Sequence, residues 1–213
     1  LYLNFFINHG LFKLKDRPQW YTVTSRSRTY VEKVLENISG EIFKNYKVNK
    51  ISRSNDNVRI SIGDEYLDYD HVILASHADQ SLKMLENPTE DEVRLLSKFE
   101  YVSNTAIWHT DKKLMKKKKL AWSSWNSISK GNKTCVTYWL NNLQNLKCKD
   151  DFFLTLNPIY EIDKAKIIKK INFTHPYFNK ETLKLQKTLQ SLQGKKRTWY
   201  CGSYFGYGFH EDG

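Results

Sequence analysis

Residues 201–213, Cys-Gly-Ser-Tyr-Phe-Gly-Tyr-Gly-Phe-His-Glu-Asp-Gly, concentrate the groups with most chemical potential in the chain. Gly202, Gly206 and Gly208 fall within seven positions, directly after the strand-like Arg197-Thr-Trp-Tyr-Cys201. Glycines after a buried strand let backbone approach a ligand closely. A helix starting near Asp212 would turn free N–H groups toward that ligand, which suits a phosphate or a ring that accumulates negative charge. A loop that merely turns the chain has the same composition. His210-Glu211-Asp212 offers metal-ligand residue types, but consecutive residues do not converge on one ion, and no His-x-x-x-His or Glu-x-x-His spacing is nearby. No metal is expected.

Other groups point less sharply. Trp122, Trp125, Tyr138, Trp139, Trp199, Tyr204, Phe205 and Tyr207 crowd the second half. Most should pack in a core; Trp122, Trp125, Tyr138, Trp139 and Tyr204 are the candidates for an aromatic substrate pocket. No Gly-x-Ser-x-Gly occurs, and Cys201 reads as an inert strand-end thiol rather than a nucleophile. His77, His109 and His175 lie beside apolar strand residues and read as satisfied core or polar-layer histidines. No residue declares itself a catalytic acid or base.

The elements that position these groups follow from periodicity. Residues 27–38 place Tyr30, Val31, Val34, Leu35 and Ile38 on one helical face, ended by Ser39-Gly40. Residues 42–51 read as a first strand region and Ser54–Asn57 as a turn. Val58, Ile60 and Ile62 alternate as a second strand. Gly63-Asp64 turns again, and His71–Ala75 is a short apolar run expected of a strand buried on both faces. Residues 78–98 are helical, with a capping box at Thr89–Glu92 after Pro88. Residues 104–110, 134–141, 152–156 and 166–173 are strand candidates. Glu181–Leu192 is a helix with Leu185, Leu189 and Leu192 in register.

The 213 residues carry 34 Lys+Arg against 23 Asp+Glu, a net charge of +11. Forty per cent hydrophobic residues suffice for a core and exclude wholesale disorder. No apolar run approaches the ~18 residues of a membrane span. Three cysteines without a Cys-x-x-Cys exclude a disulfide framework and favour a reducing, cytoplasmic setting. Only seven of the basic residues are Arg, the type that reads bases and phosphates bidentately, so the charge reads as a solvated lysine-rich surface and no nucleic acid is expected. The run Lys116–Lys119 leaves open a cleft for anionic substrates or lipid headgroups, and with the latter a peripheral membrane contact. The abrupt ends, Leu1 and Gly213, read as those of an internal fragment.

Eight segments taken together carry a resemblance. They are Arg17-Pro18-Gln19-Trp20, Ser27-Arg28-Thr29-Tyr30-Val31, Val72 to Gln80, His109-Thr110-Asp111, Ala121 to Asn126, Val136 to Trp139, Leu154 to Pro158 and Gly206 to Gly213. In this order, over essentially the whole chain, they resemble a bacterial family of NAD/FAD-binding proteins in the flavin-containing amine oxidoreductase superfamily. The resemblance implies an α/β chain of mixed α+β character, part of a Rossmann-type FAD-binding domain interleaved with a mixed-sheet substrate domain. On that pattern residues 1–25 are substrate-domain or connecting, 26–80 and 196–213 belong to the FAD domain, and 81–195 form the substrate domain. The Gly-x-Gly-x-x-Gly unit of such proteins should precede Leu1, and the helix after the glycine turn should follow Gly213.

Matched residue by residue, the resemblance puts Val48 against the adenine and Ala75 and Ser76 near the cofactor. It puts Gly202 and Ser203 at the phosphates and ribityl chain, and His210, Glu211, Asp212 and Gly213 by the flavin ring. The chain departs from the pattern at Ser25-Arg26, where the family shows two glycines. Either the tight backbone approach is lost there or Arg26 reaches an anionic group. The function implied is an FAD-dependent, amine-oxidase-like oxidoreductase that passes hydride from a small organic or lipid substrate to flavin. The alternatives are a homologue that keeps the fold without the chemistry and a basic nucleic-acid-binding module.

Overall fold

The computed structural model describes residues 2–19, 21–209 and 212. In chain order the elements are α1 (Tyr2–Asn8), α2 (Ser27–Leu35), β1 (Lys50–Arg53), β2 (Val58–Ile62), β3 (Glu65–Tyr69), β4 (Val72–Leu74), α3 (Ala78–Met84), α4 (Glu90–Leu96), β5 (Glu100–His109), β6 (Trp125–Lys130), β7 (Lys133–Trp139), α5 (Leu140–Leu143), β8 (Phe153–Leu156), β9 (Ile167–Tyr177), α6 (Lys180–Leu189) and β10 (Thr198–Tyr200). The mixed α/β class expected from the sequence is the class observed. No helix among the described residues is long and apolar enough to cross a membrane.

The chain divides into two compact units. One is Leu1–Glu100 with Pro176–Gly213, and the other is Tyr101–His175. The first is therefore discontinuous in sequence, with the second inserted into it. It takes in α3, α4 and α6, and the compact division falls at 100/101 and 175/176.

In the first unit β1, β2 and β3 form an antiparallel meander, with Ile51 opposite Ile60 and Val58 opposite Tyr69. Asn45, at φ 63°, interrupts the chain ahead of it, so the first strand starts at Lys50 and not near residue 42. β4 and β10 pair in parallel, Val72 opposite Thr198 and Leu74 opposite Tyr200. Val72 and Leu74 are buried, but Ile73 is 68% exposed. The run is thus not buried on both faces as expected: among the described residues β4 has packing on one face only. The 78–98 helix is two helices. Pro88 cannot continue α3, and Thr89 starts α4 through the expected capping box, accepting from the Glu92 N–H while the Glu92 carboxylate accepts from the Thr89 N–H. Ile51, Val58, Leu95, Leu96, Phe99, Leu189, Leu192 and Tyr204 are among the most deeply buried core residues here.

The second unit is a five-stranded sheet in the order β6-β7-β8-β5-β9. Its register sorts the side chains by face. His109 lies opposite Phe153 and Ile107 opposite Thr155; Thr137 lies opposite Thr155 and Trp139 opposite Phe153. This face is the buried one, covered by Leu114 and Ile162 packed on Ile107. β6 escapes the sequence reading because Trp125-Asn-Ser-Ile-Ser-Lys130 has polar residues at most positions, and it is an edge strand with little to bury.

Ser25 and Arg26 both hold left-handed backbone, φ 62° and 73°. The turn before α2 has kept a glycine-type path while carrying side chains, at a cost of ~1–2 kcal/mol per residue. Ser25→Gly and Arg26→Gly are each expected to raise stability by about 0.5–1 kcal/mol after allowing for glycine's freedom in the unfolded chain. Chemical denaturation checks this; a loss of stability would show that the side chains hold the turn.

Candidate functional site

Two parallel strands end side by side in the first unit, and ligands of α/β folds bind at such carboxyl edges. β4 runs into Ala75-Ser76, and β10 runs into Cys201-Gly202-Ser203. The Cys201 N–H donates to the Leu74 carbonyl at 3.1 Å, which holds the two exits together. Gly202 sits at φ 148°, ψ 167°, a region reserved for glycine. A Cβ there would lie 2.9 Å from the Tyr204 ring and 3.7 Å from the Ser76 carbonyl oxygen. The exit therefore needs bare backbone. Ala75 is exposed, and Ser76, Gly202 and Ser203 are half-buried. The Ser76 hydroxyl pairs with the buried Ser81 hydroxyl at 2.8 Å, tying the β4 exit to α3.

The glycine loop is held from several sides. Gln186 of α6 donates to the carbonyls of Tyr204 (3.1 Å) and Gly206 (2.5 Å). Tyr204 is core, its ring 5.3 Å from Phe99 and 4.8 Å from Phe205. The Asp212 carboxylate accepts from the N–H groups of Tyr207 (3.0 Å) and Phe209 (2.9 Å). A Cβ on Gly206 would run into that carboxylate. Asp212 thus binds its own loop. His210, Glu211 and Gly213, expected at the flavin ring, lie outside the described residues, as does Trp20. Val48 is half-buried two residues before β1.

Asp79, in the first turn of α3, is a site candidate that the sequence reading did not single out. Its Oδ1 is buried with no hydrogen-bond partner among the described residues. An unpaired buried acceptor is costly, and it fits a ligand that donates hydrogen bonds. A carboxylate three residues beyond the small residues of a parallel-strand exit was the available signal.

The aromatic residues expected to share one pocket do not. Tyr204 belongs to the core of the first unit. In the second, Trp125 faces Tyr138 across β6 and β7 on one side of the sheet. Trp122 and Trp139 meet edge to face on the other, their ring centres 5.2 Å apart. Alternation along β7 puts Tyr138 and Trp139 on opposite faces. Trp122 and Trp139 instead flank the Lys119 ammonium at 5.3 and 5.2 Å. That ammonium also meets both oxygens of Asp151, at 2.9 and 3.0 Å. Burial pushes the Asp151 carboxyl up, but Lys112 and Lys119 outweigh it and hold it below the usual range. A separate cleft of about 450 Å³ is lined by Thr105, Ile107, Lys133, Asn157, Ile159 and Lys170.

His109 is the satisfied core histidine that the sequence suggested. Its Nδ1 accepts from the Asp111 N–H at 3.1 Å, which leaves the proton on Nε2, 2.8 Å from the Thr155 hydroxyl. Thr155 lies 2.9 Å from the Thr137 hydroxyl. Burial lowers the pKa of His109, against the opposing pull of Asp111. A neutral buried histidine contributes stability above its unfolded pKa, near 6.5, that is lost as pH falls through the lower folded value. Thr155→Val strands the Nε2–H and is expected to cost about 1–3 kcal/mol in urea unfolding at neutral pH. An unchanged midpoint would mean that the Nε2–H has another acceptor.

The flavin containing amine oxidoreductase family model matches residues 11–142. No curated protein matches the chain. Among solved structures, the chain is similar to a CLA-producing fatty acid isomerase from P. acnes, with TM-score 0.64 and 15% identity, covering 87% of this chain and 49% of that one. It is similar to a putative protoporphyrinogen oxidase from Exiguobacterium sp. 255-15, with TM-score 0.56 and 12% identity over 84% and 47% of the two chains. It is also similar to a putrescine oxidase variant, with TM-score 0.57 and 9% identity over 85% and 48%. At these identities the likeness is one of fold. The chain spans about half the length of these structures.

Proposed function

Because the chain belongs to the flavin containing amine oxidoreductase family, whose cofactor is FAD, we propose that it supplies part of an FAD site and the substrate-side sheet of an oxidoreductase. The observation that carries this is the juxtaposition of Ser76 and Gly202 at the shared carboxyl edge of β4 and β10. In this reading the first unit, residues 1–100 and 176–213, holds the cofactor, and residues 101–175 face the substrate.

The flavin, when bound, supplies a two-electron acceptor for hydride. The chain's own residues bind and orient it. Gly202 and Ser203 offer backbone at the phosphates and ribityl chain, where a side chain at 202 would fill the space. Ala75 and Ser76 form the opposite lip. The Asp79 Oδ1 would accept from a cofactor hydroxyl. Val48 would lie against the adenine and Asp212 beside the ring; the same role for His210, Glu211 and Gly213 falls outside the described residues. Gln186 and Asp212 fix the loop so that this geometry exists before the cofactor arrives.

The substrate class is a small organic molecule or a lipid. The similar structures include a fatty acid isomerase and a putrescine oxidase, so both a fatty acid and an amine belong in the first screen. The test is anaerobic mixing of the flavin-loaded full-length protein with primary amines and with fatty acids. Bleaching of the flavin band by one class supports the reading. A flavin that binds but is reduced by no donor favours the fold-retaining, non-catalytic homologue, which the filled Ser25-Arg26 turn supports.

A further inference from the structure

The segment Asp111–Leu120 holds six lysines in ten positions, and residues 101–175 contain no arginine. Its path is fixed. Leu114 and Met115 are buried, 3% and 8% exposed. The Trp122 indole N–H donates to the Lys116 carbonyl at 2.6 Å, and the Ala121 N–H to the Lys118 carbonyl at 3.0 Å. Lys119 is pinned by Asp151 between Trp122 and Trp139. Lys116, Lys117 and Lys118 are left exposed, with no carboxylate partner among the described residues. Beside them Leu120 is fully exposed, at 101%.

We propose that residues 116–120 are a docking site for an anionic lipid bilayer, with Lys116, Lys117 and Lys118 on headgroup phosphates and Leu120 in the acyl boundary. Clustered lysines draw a protein to an anionic surface. An apolar side chain raised fully into water among them has a place to go in a bilayer and none on a phosphate backbone. Nucleic acid would call on arginine forks and free aromatic faces. This segment has no arginine, and the Trp122 and Trp139 rings are engaged with each other and with Lys119. The site is independent of the flavin reading, since none of its residues belongs to the proposed cofactor edge.

The test is co-sedimentation of the full-length protein with vesicles of phosphatidylcholine alone or mixed with phosphatidylglycerol. Binding is expected only to the mixed vesicles, and it should weaken with salt. The triple change Lys116→Ser, Lys117→Ser, Lys118→Ser should weaken it about a hundredfold. Leu120→Ser should weaken it about tenfold. Removing the same charge from the far end of the same sheet (Lys130→Ser, Lys133→Ser, Lys170→Ser) should leave binding within about twofold, because Lys133 is six strand positions, roughly 20 Å, from the Trp139 that flanks Lys119, and surface attraction acts over about a Debye length. Circular dichroism confirms that each variant folds. Absence of binding to the mixed vesicles overturns the proposal. So does equal loss in the Lys130, Lys133 and Lys170 control, unchanged binding of Leu120→Ser, or tighter binding to a single-stranded oligonucleotide than to the vesicles.

Discussion

Replacing Arg53 with Met while Glu92 stays in place is expected to lower stability by about 3–5 kcal/mol, because it leaves a carboxylate buried without its counter-ion. The two side chains are 2% and 3% exposed. The Arg53 guanidinium forks onto Glu92, at 2.5 and 2.9 Å, and also donates to the Thr198 hydroxyl and the Asn87 carbonyl. The Tyr200 hydroxyl donates to the same carboxylate at 2.6 Å. This cluster joins β1, α4 and β10 in the first unit, so it sets where β10 ends and therefore where Gly202 lies. The melting temperature should fall by roughly 10 °C. The triple variant Arg53→Met, Glu92→Leu, Tyr200→Phe should recover most of that loss, because it removes charges and partners together. A triple variant as unstable as the single one would contradict the account.

The same cluster sets an acid limit. Burial pushes the Glu92 carboxyl up, but Arg53, Tyr200 and the Thr89 N–H outweigh it and bring it from 4.5 to about 2. Its folded pKa is depressed, so its contribution is complete above the unfolded value and is lost as pH falls through about 2. A shift of this size corresponds to about 3 kcal/mol. Glu92→Gln should flatten this part of the stability–pH curve.

The second large effect is expected at Gly202. Gly202→Val puts a Cβ 2.9 Å from the Tyr204 ring, on backbone that side chains rarely adopt. Flavin retention should weaken about a hundredfold, equivalent to about 3 kcal/mol. Gly63→Ala is the matched control. It also has left-handed backbone, φ 60°, but a Cβ there meets nothing within 4 Å. It should cost about 1 kcal/mol of stability and leave flavin retention unchanged. Equal retention by both variants would remove Gly202 from the cofactor edge.

What the sequence disclosed was local. The Thr89–Glu92 capping box, the β2–β3 turn at Gly63-Asp64 and the alternation of Val58, Ile60 and Ile62 are short-range patterns, and the structure has each of them. The misses are long-range. Glu92 is legible as a helix cap, but its partner Arg53 is 39 positions away and reads as one more surface cation. The sheet order β6-β7-β8-β5-β9 depends on pairings that no local pattern encodes. Trp122 and Trp125 look equivalent in sequence, yet Trp122 precedes β6 and packs on Trp139 while Trp125 packs on Tyr138, and alternation along β7 puts those two partners on opposite faces. At the candidate site, glycine density marked Gly202 and Ser203, and the resemblance marked Ala75 and Ser76. Asp79 went unassigned because an unpaired buried acceptor is visible only once its surroundings are placed. Ser25-Arg26 was legible as a departure, whereas its retained left-handed path was not.

The most direct test of the central claim is the visible absorbance spectrum of the full-length protein after gel filtration. The account predicts flavin bands that co-migrate with the protein and are lost in Gly202→Val but kept in Gly63→Ala. A wild-type protein that is colourless, and stays colourless after incubation with FAD, would contradict it.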